Sequence, residues 1–263
     1  MYGISTATVL QGGHGSTLIL VAHHSVIDGM GSAWLIEDLL RALSGASLTP
    51  LPLVQSLEVL IESDMTSAAV LPAAPLAPVP KRFRPGAAEV PHIDALALPV
   101  ELTCQLIARA RIEQTSVHGA VAAAVHEAGR RLSREWCTRP IRTVTPIDVR
   151  YLAGEVGTAN GVYITQTITV DDQPRGTSFW NAARKVKRDL APSQTRASAV
   201  AELKALDAAM STRPTVQHAA GFLSAVLAFD VLLSNLGNQP IASTYDGLTT
   251  LLRPCPCKLS GII

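Results

Sequence analysis

The segment from Thr17 to Gly29, Thr-Leu-Ile-Leu-Val-Ala-His-His-Ser-Val-Ile-Asp-Gly, constrains this chain more than any other. Its first half, Leu18 to Ala22, is a short apolar run bounded by Gly-rich sequence, which predicts a buried strand. From Met30 to Leu43, apolar residues at Ala33, Ile36, Leu40 and Leu43 form the stripe of an amphipathic helix. Two imidazoles and a carboxylate therefore lie in a strand-to-helix turn. An imidazole titrates in the range that suits a general base. On regular extended backbone, neighbouring side chains point to opposite faces, so His23 and His24 would not both face one ligand.

The rest of the chain alternates helices and strands. Thr6 to Leu10 and Thr17 to His23 bracket the Gly-rich stretch Gln11 to Ser16, which predicts a β-hairpin. Gly45 is placed to end the first helix. Prolines at 72, 75, 78, 80, 85 and 91 read as an extended crossover. Beyond it, helices are expected over 99–112, from a cap at Thr115 or Ser116, and from a cap at Thr177 or Ser178. The second of these carries the stripe Val117, Val121, Ala124, Val125, Ala128 and Leu132; the third carries Phe179, Ala183, Val186 and Leu190. Further helices are expected over 198–210 and 216–227. Strands are expected over 141–147, over 162–170, where Val162, Ile164, Ile168 and Val170 alternate with Tyr163, Thr165, Thr167 and Thr169, and over 231–233. The fold class is α/β, a mixed sheet with helices. The expected division is 1–70 (hairpin, histidine loop, helix), 71–95 (crossover) and 96–263 (a second, larger part).

Composition narrows the class. A content of 48% hydrophobic and 16% charged residues belongs to a folded chain, and 263 residues suffice for a sizeable core. A net charge of +1 provides no footprint for nucleic acid or an anionic membrane. No apolar run approaches spanning length, and the 222–233 stretch is interrupted by Asp230. Four cysteines, at 104, 137, 255 and 257, make no disulfide framework, and no secretory signal opens the chain. The expectation is a soluble protein of a reducing compartment, the cytoplasm. A Gly-x-Ser-x-Gly elbow and a phosphate-binding Gly-x-x-x-x-Gly-Lys-Ser/Thr loop are both missing.

Three later stretches bear on function: Thr115-Ser116-Val117-His118-Gly119-Ala120; Thr145-Pro146-Ile147-Asp148-Val149-Arg150 with Gly157 and Asn160-Gly161; and Ser234-Asn235-Leu236-Gly237. With His-His-x-x-x-Asp-Gly, in this order, they resemble the superfamily of CoA-dependent and carrier-dependent acyltransferases. Its members include chloramphenicol acetyltransferase, the plant acyltransferases, nonribosomal peptide synthetase condensation domains and polyketide-associated acyltransferases. The resemblance covers nearly the whole chain and is to the condensation-like and alcohol acyltransferase branch. The Gly–Asn turn is matched loosely, with two residues between Gly157 and Asn160. The resemblance implies two subdomains of the chloramphenicol-acetyltransferase type with a tunnel between them. Residues 1–22 leave room for only one hairpin of the first subdomain, and 257–263 stop short of the last expected strands, so it implies a fragment.

The resemblance also implies roles. An acyl group passes from a CoA or carrier-protein thioester to a hydroxyl or amine, with His24 as general base and no covalent acyl-enzyme. Metal and organic cofactors are not required, the thioester being a substrate. His23 packs in support of the loop. Asp28 holds it through an ion pair, for which Arg150 is the candidate and Arg142 and Arg213 the rivals. Gly29 lets the chain turn into the helix, and its amide is placed to help an oxyanion. Trp34 fills the core or lines the channel. Ser234, Asn235 and Gly237 form its far wall or an ordinary turn. The expected partners are acyl-CoA or an acyl carrier protein and the acceptor. An amide-forming condensation domain is the runner-up, and a truncated noncatalytic remnant the third reading.

Other polar residues have plainer readings. Neighbouring strand residues diverge, which disfavours His23, His24 and Asp28 as a metal set. Cys255-Pro256-Cys257 is half a metal site without its other half. His118 and His126 are read as surface or hydrogen-bonded core residues. Arg184, Lys185, Lys187 and Arg188 are a solvated helix face, or a cradle for a CoA phosphate or an acidic carrier.

Overall fold

The first element is the hairpin β1 (Ser5–Gly12) and β2 (Gly15–Ala22), paired antiparallel from Ser5 opposite Ala22 to Gly12 opposite Gly15. A two-residue loop, Gly13-His14, fits the tight turn that such a register needs. This comes from a computed structural model, which describes residues 5–51, 53, 55–60, 92–152, 157–172, 176–226 and 228–249. Most of the expected Pro-rich crossover, the Cys255–Cys257 pair and the last residues lie outside them. The chain divides into two compact units, and neither is a single segment. Unit 1 is Met1–Ile61, Arg150–Ile164 and Asn238–Pro254; unit 2 is Glu62–Val149, Thr165–Gly237 and Cys255–Ile263. The linear division expected from sequence thus differs from the division by contacts.

In unit 1, helix α1 (Gly29–Leu43) starts on Asp28, whose side chain accepts from the Gly31 amide at 2.8 Å. It ends at Ser44, followed by Gly45 in the left-handed region at φ +86°. Among the described residues unit 1 also holds a helical turn, α2 (Leu57–Leu60), a 3₁₀ turn at Arg150–Leu152, and a short hairpin, β6 (Thr244–Tyr245) and β7 (Leu248–Thr249); β6 and β7 are numbered in chain order after the strands of unit 2. Two expectations of burial fail here. Every residue of β1 and β2 is exposed, including the run Leu18 to Ala22. Of the α1 stripe only Ala33 is buried. An apolar run specifies what would favour burial; burial itself needs an opposing surface.

Unit 2 holds most of the core. Helices α3 (Val100–Ile112), α4 (Val117–Leu132), α5 (Phe179–Leu190), α6 (Arg196–Ser211) and α7 (Val216–Val226) accompany a three-stranded sheet. The sheet runs β4 (Ile164–Asp171), β3 (Ile141–Asp148), β5 (Val231–Leu232), with β3 central and β3 parallel to β5. Ile141, Val144 and Ile147 of β3 are all but inaccessible. The alternation of β4 is present, and its more buried face is the polar one, Thr165, Thr169 and Asp171. On α4 the buried residues are His118, Gly119, Ala120, Ala122, Ala123 and His126, rotated from the apolar stripe expected. The physical reason is backbone proximity. A Cβ on Gly119 would come 2.6 Å from the Ala183 carbonyl oxygen of α5, so small residues must face that helix. Ser116 caps α4, and Thr115 instead donates to Ala183 O at 2.8 Å. Cys104 is disulfide-bonded, which the count of four cysteines did not lead one to expect. Among the described residues no helix is long and apolar enough to cross a membrane.

Candidate functional site

Strand β2 stops at Ala22, so the histidines sit in a turn rather than on a strand. The Val26 amide donates to His23 O at 3.0 Å and closes it. His23 does not pack, contrary to expectation. It is exposed, and its Nδ1 lies 2.7 Å from Ser25 Oγ. His24 is also exposed and lines a groove of ≈ 440 Å³ in unit 1, whose walls include Leu20 of β2 and Leu35 and Ile36 of α1.

The far end of the loop is held very differently. Asp28 is buried and receives four donors. Arg150 Nη2 and the Gly31 amide each reach Oδ1 at 2.8 Å; Arg150 Nη1 reaches Oδ2 at 2.8 Å and the Tyr163 amide reaches it at 2.9 Å. The Asp28 amide in turn donates to Gly161 O at 3.0 Å. Burial pushes the Asp28 carboxyl up, but Arg150 and the amides of Gly31 and Tyr163 outweigh it, so the group stays below the usual carboxylate range. Such a carboxylate has its lone pairs occupied and is unsuited to act as a base or a metal ligand.

Arg150 is buried too. Its guanidinium lies 5.0 Å from the ring centroids of Trp34 and of Tyr163, a cation between two π faces. Tyr163 is anchored by its hydroxyl, which donates to Gln55 O at 2.8 Å. Gly161 is required where it stands, since a Cβ there would come 2.5 Å from the Tyr163 ring. Tyr163 and Gln55 were not singled out from sequence. The signal for Tyr163 was its neighbour, the Asn160-Gly161 turn. Arg142 is not the partner of Asp28: its amide donates to Asp230 in unit 2, at 2.8 Å. Gly29 is the first residue of α1 and needs no left-handed backbone. The close approach falls instead at Gly31, where a Cβ would meet Ile27 Cγ1 at 2.9 Å.

Ser234, Asn235 and Gly237 belong to unit 2 and form a turn. Asn235 Oδ1 accepts from the Gly237 amide at 2.9 Å, and Gly237 has φ +63°. Asn235 also lines a pocket of ≈ 120 Å³ with His118. His118 and His126 are core residues, 3.2 Å and 2.7 Å from Thr145 Oγ1 and Thr143 Oγ1. Of the basic run on α5, Arg184 pairs with Glu113, and Lys185 with Asp189 and Asp172.

No family model and no curated protein matches the chain. Solved structures do match it. The cyclization-docking bidomain of EpoB, a nonribosomal peptide synthetase from Sorangium cellulosum, is 17% identical with TM-score 0.58, over 92% of this chain and 50% of that one. Polyketide synthase associated protein 5 from Mycobacterium tuberculosis is 21% identical with TM-score 0.56, over 73% and 52%. TRI101 of F. sporotrichioides, solved with coenzyme A and T-2, is 16% identical with TM-score 0.56, over 95% and 58%. The chain spans about half the length of the solved structures it matches. At these identities the likeness is one of fold: the α/β fold of condensation domains and chloramphenicol-acetyltransferase-like acyltransferases.

Proposed function

We propose that the chain, on this fold, carries the catalytic loop of an acyltransferase that moves an acyl group from a CoA or carrier-protein thioester to a hydroxyl or amine. The observation that supports it is the asymmetry of the loop. One end is locked by Asp28, Arg150 and Tyr163, while the other presents His24 to an apolar-walled groove. In the proposed step the acceptor oxygen or nitrogen attacks the thioester carbonyl as His24 takes its proton. The tetrahedral adduct collapses, the C–S bond breaks, and the imidazolium returns the proton to the departing thiolate. The new C–O or C–N bond is the product, and neither metal nor organic cofactor enters the balance. Asp28 and Arg150 are positioning residues: they fix the loop and stay out of the chemistry.

The test is thioester turnover with acyl-CoA and acyl-carrier donors and with alcohol and amine acceptors. His24→Ala is expected to lower the rate by about 10²- to 10⁴-fold, the usual worth of general base catalysis, with the fold intact. Equal turnover by the variant overturns the role of His24. The acceptor that reacts separates ester formation from amide formation.

A further inference from the structure

Asp28 and Arg150 hold the histidine loop only while the guanidinium keeps its plane. A guanidinium donates hydrogen bonds within that plane and none from its two faces. Arg150 directs two in-plane bonds at Asp28, Nη2 to Oδ1 and Nη1 to Oδ2, both at 2.8 Å. Two parallel bonds form a hinge: a guanidinium that tilts about the line of the carboxylate loses the bidentate geometry. Arg150 is buried, so its faces are turned to protein rather than to solvent.

Aromatic rings cover those faces. Arg150 Cζ stands over the ring of Trp34 and over the ring of Tyr163, 5.0 Å from each centroid. Each ring offers the negative face of its quadrupole to the cation. Both rings are themselves tied. Trp34 lies on α1, the helix that Asp28 caps, so the ring and the carboxylate belong to one rigid element. The Tyr163 amide donates to Asp28 Oδ2 at 2.9 Å and its hydroxyl donates to Gln55 O at 2.8 Å, so this residue is held at both ends. Asp28, Trp34, Gln55, Arg150 and Tyr163 all belong to unit 1.

We propose that Trp34 and Tyr163 are positioning residues of the histidine loop, acting through Arg150. Their ring faces stop the guanidinium from tilting. That preserves its pair with Asp28 and, through it, the loop from which His24 is presented. Neither ring touches the reacting atoms. For catalysis the inference rests on the acyltransferase reading; for the order of the loop it does not.

The test alters the ring at position 34 in the full chain and reads both consequences. Hydrogen exchange of the Val26, Asp28 and Tyr163 amides, resolved by NMR, reports the loop without turnover, because they donate to His23 O, Gly161 O and Asp28 Oδ2. Tryptophans of increasing fluorine content keep the shape of the ring and withdraw its π charge, so the fold is retained. Exchange at the three amides is expected to rise with fluorine content, up to about tenfold, the size of one desolvated cation–π contact. Amides in the middle of α1 are expected to stay unchanged. Trp34→Leu is expected to give the same loosening in one step, and Trp34→Phe to restore most of the protection. In thioester turnover, kcat is expected to fall about tenfold with fluorination while KM stays within about twofold, since Trp34 is not among the walls of the groove. Exchange that ignores fluorine content, or that rises equally throughout α1, overturns the proposal. So does a Phe variant no better than Leu, or full kcat from a loosened loop. Graded exchange in a chain that turns over no thioester would sink the acyltransferase reading and leave the two rings as the clamp of the loop.

Discussion

Strands β2 and β3 are similar in sequence and opposite in fate. Thr17 to Ala22 and Ile141 to Ile147 are both short runs rich in β-branched and aliphatic residues. In the first, Ile19 is 42% exposed and Val21 57%; in the second, Ile141 is 0% exposed and Val144 1%. Strand β3 is the middle of a sheet, and its Thr143 and Thr145 lie within hydrogen-bonding distance of the buried His126 and His118 of α4. The hairpin is a two-stranded sheet whose residues are all exposed. Isolated hairpins are marginal in water, so β1 and β2 are held by their turn, their ladder and the adjoining loop rather than by a core. Six residues beyond β2 the contrast reverses, because Asp28 is among the most buried side chains in the molecule. A locked carboxylate next to an uncovered strand concentrates local stability at one end of the histidine loop.

Mutations test that contrast directly, and the largest effect is expected at the lock. Asp28→Ala leaves the Arg150 guanidinium buried without its carboxylate and is expected to cost about 3–5 kcal/mol in denaturant unfolding. The wild-type pair also sets an acid limit. The folded-state pKa of Asp28 is depressed, so its stabilisation is present above the ordinary value of 3.8 and is lost as the pH falls through the folded value. Asp28→Asn is expected to flatten that acid limb of the unfolding profile.

Next comes the core strand. Ile147→Ala in β3 is expected to cost about 2–5 kcal/mol, the range for truncating a buried aliphatic side chain. A loss below about 1 kcal/mol would show that β3 is far less well packed than its burial indicates.

A smaller effect of opposite sign with pH is expected from Glu202 on α6. Burial pushes its carboxyl up to about 7, although the Gln166 amide of β4 donates to it at 3.2 Å. A carboxyl raised in the fold holds its proton more tightly there, so stability falls as the pH rises from 4.5 toward about 7. The span is on the order of 3 kcal/mol. Glu202→Gln is expected to flatten this neutral limb while leaving the acid limb of Asp28 in place.

The smallest effect sharpens the comparison most. Ile19→Ala on the exposed hairpin is expected to change stability by about 0.5 kcal/mol or less. Val21→Lys places a charge on a strand edge and is expected to reduce concentration-dependent association in sedimentation. An Ile19→Ala loss as large as that of Ile147→Ala would mean that the hairpin is covered in solution.

Much of the local structure was legible in the residues. Glycines at 12, 13 and 15 marked the hairpin turn, and of the two candidate caps Thr177 and Ser178 the structure uses Ser178. Gly29 marked the turn into α1, and the structure adds that Asp28 caps the helix. The α5 stripe Ala183, Val186 and Leu190 is the buried one. The α4 stripe misled because periodicity counts apolar residues, whereas the contact with α5 demanded small ones. The buried histidines on that face are tolerable because threonines of β3 lie within hydrogen-bonding distance, which no helical pattern announces. At the candidate site, Asp28 and Arg150 were visible as partners of a resemblance, but Tyr163 and Gln55 were not, since neither lies near the histidines in sequence.

By itself, the sequence determined where most strands and helices lie, a pair of candidate caps for each of two helices, and that an imidazole pair and a carboxylate share one loop. Those are decided within a few residues, by backbone geometry and local hydrogen bonds. The tertiary structure alone decided which arginine meets Asp28 across 122 residues, that β3 is buried while β2 is not, and that Ser116, Asp148 and Asn235 share one pocket. Burial and long-range pairing are properties of two surfaces, and a single stretch of chain specifies only one of them.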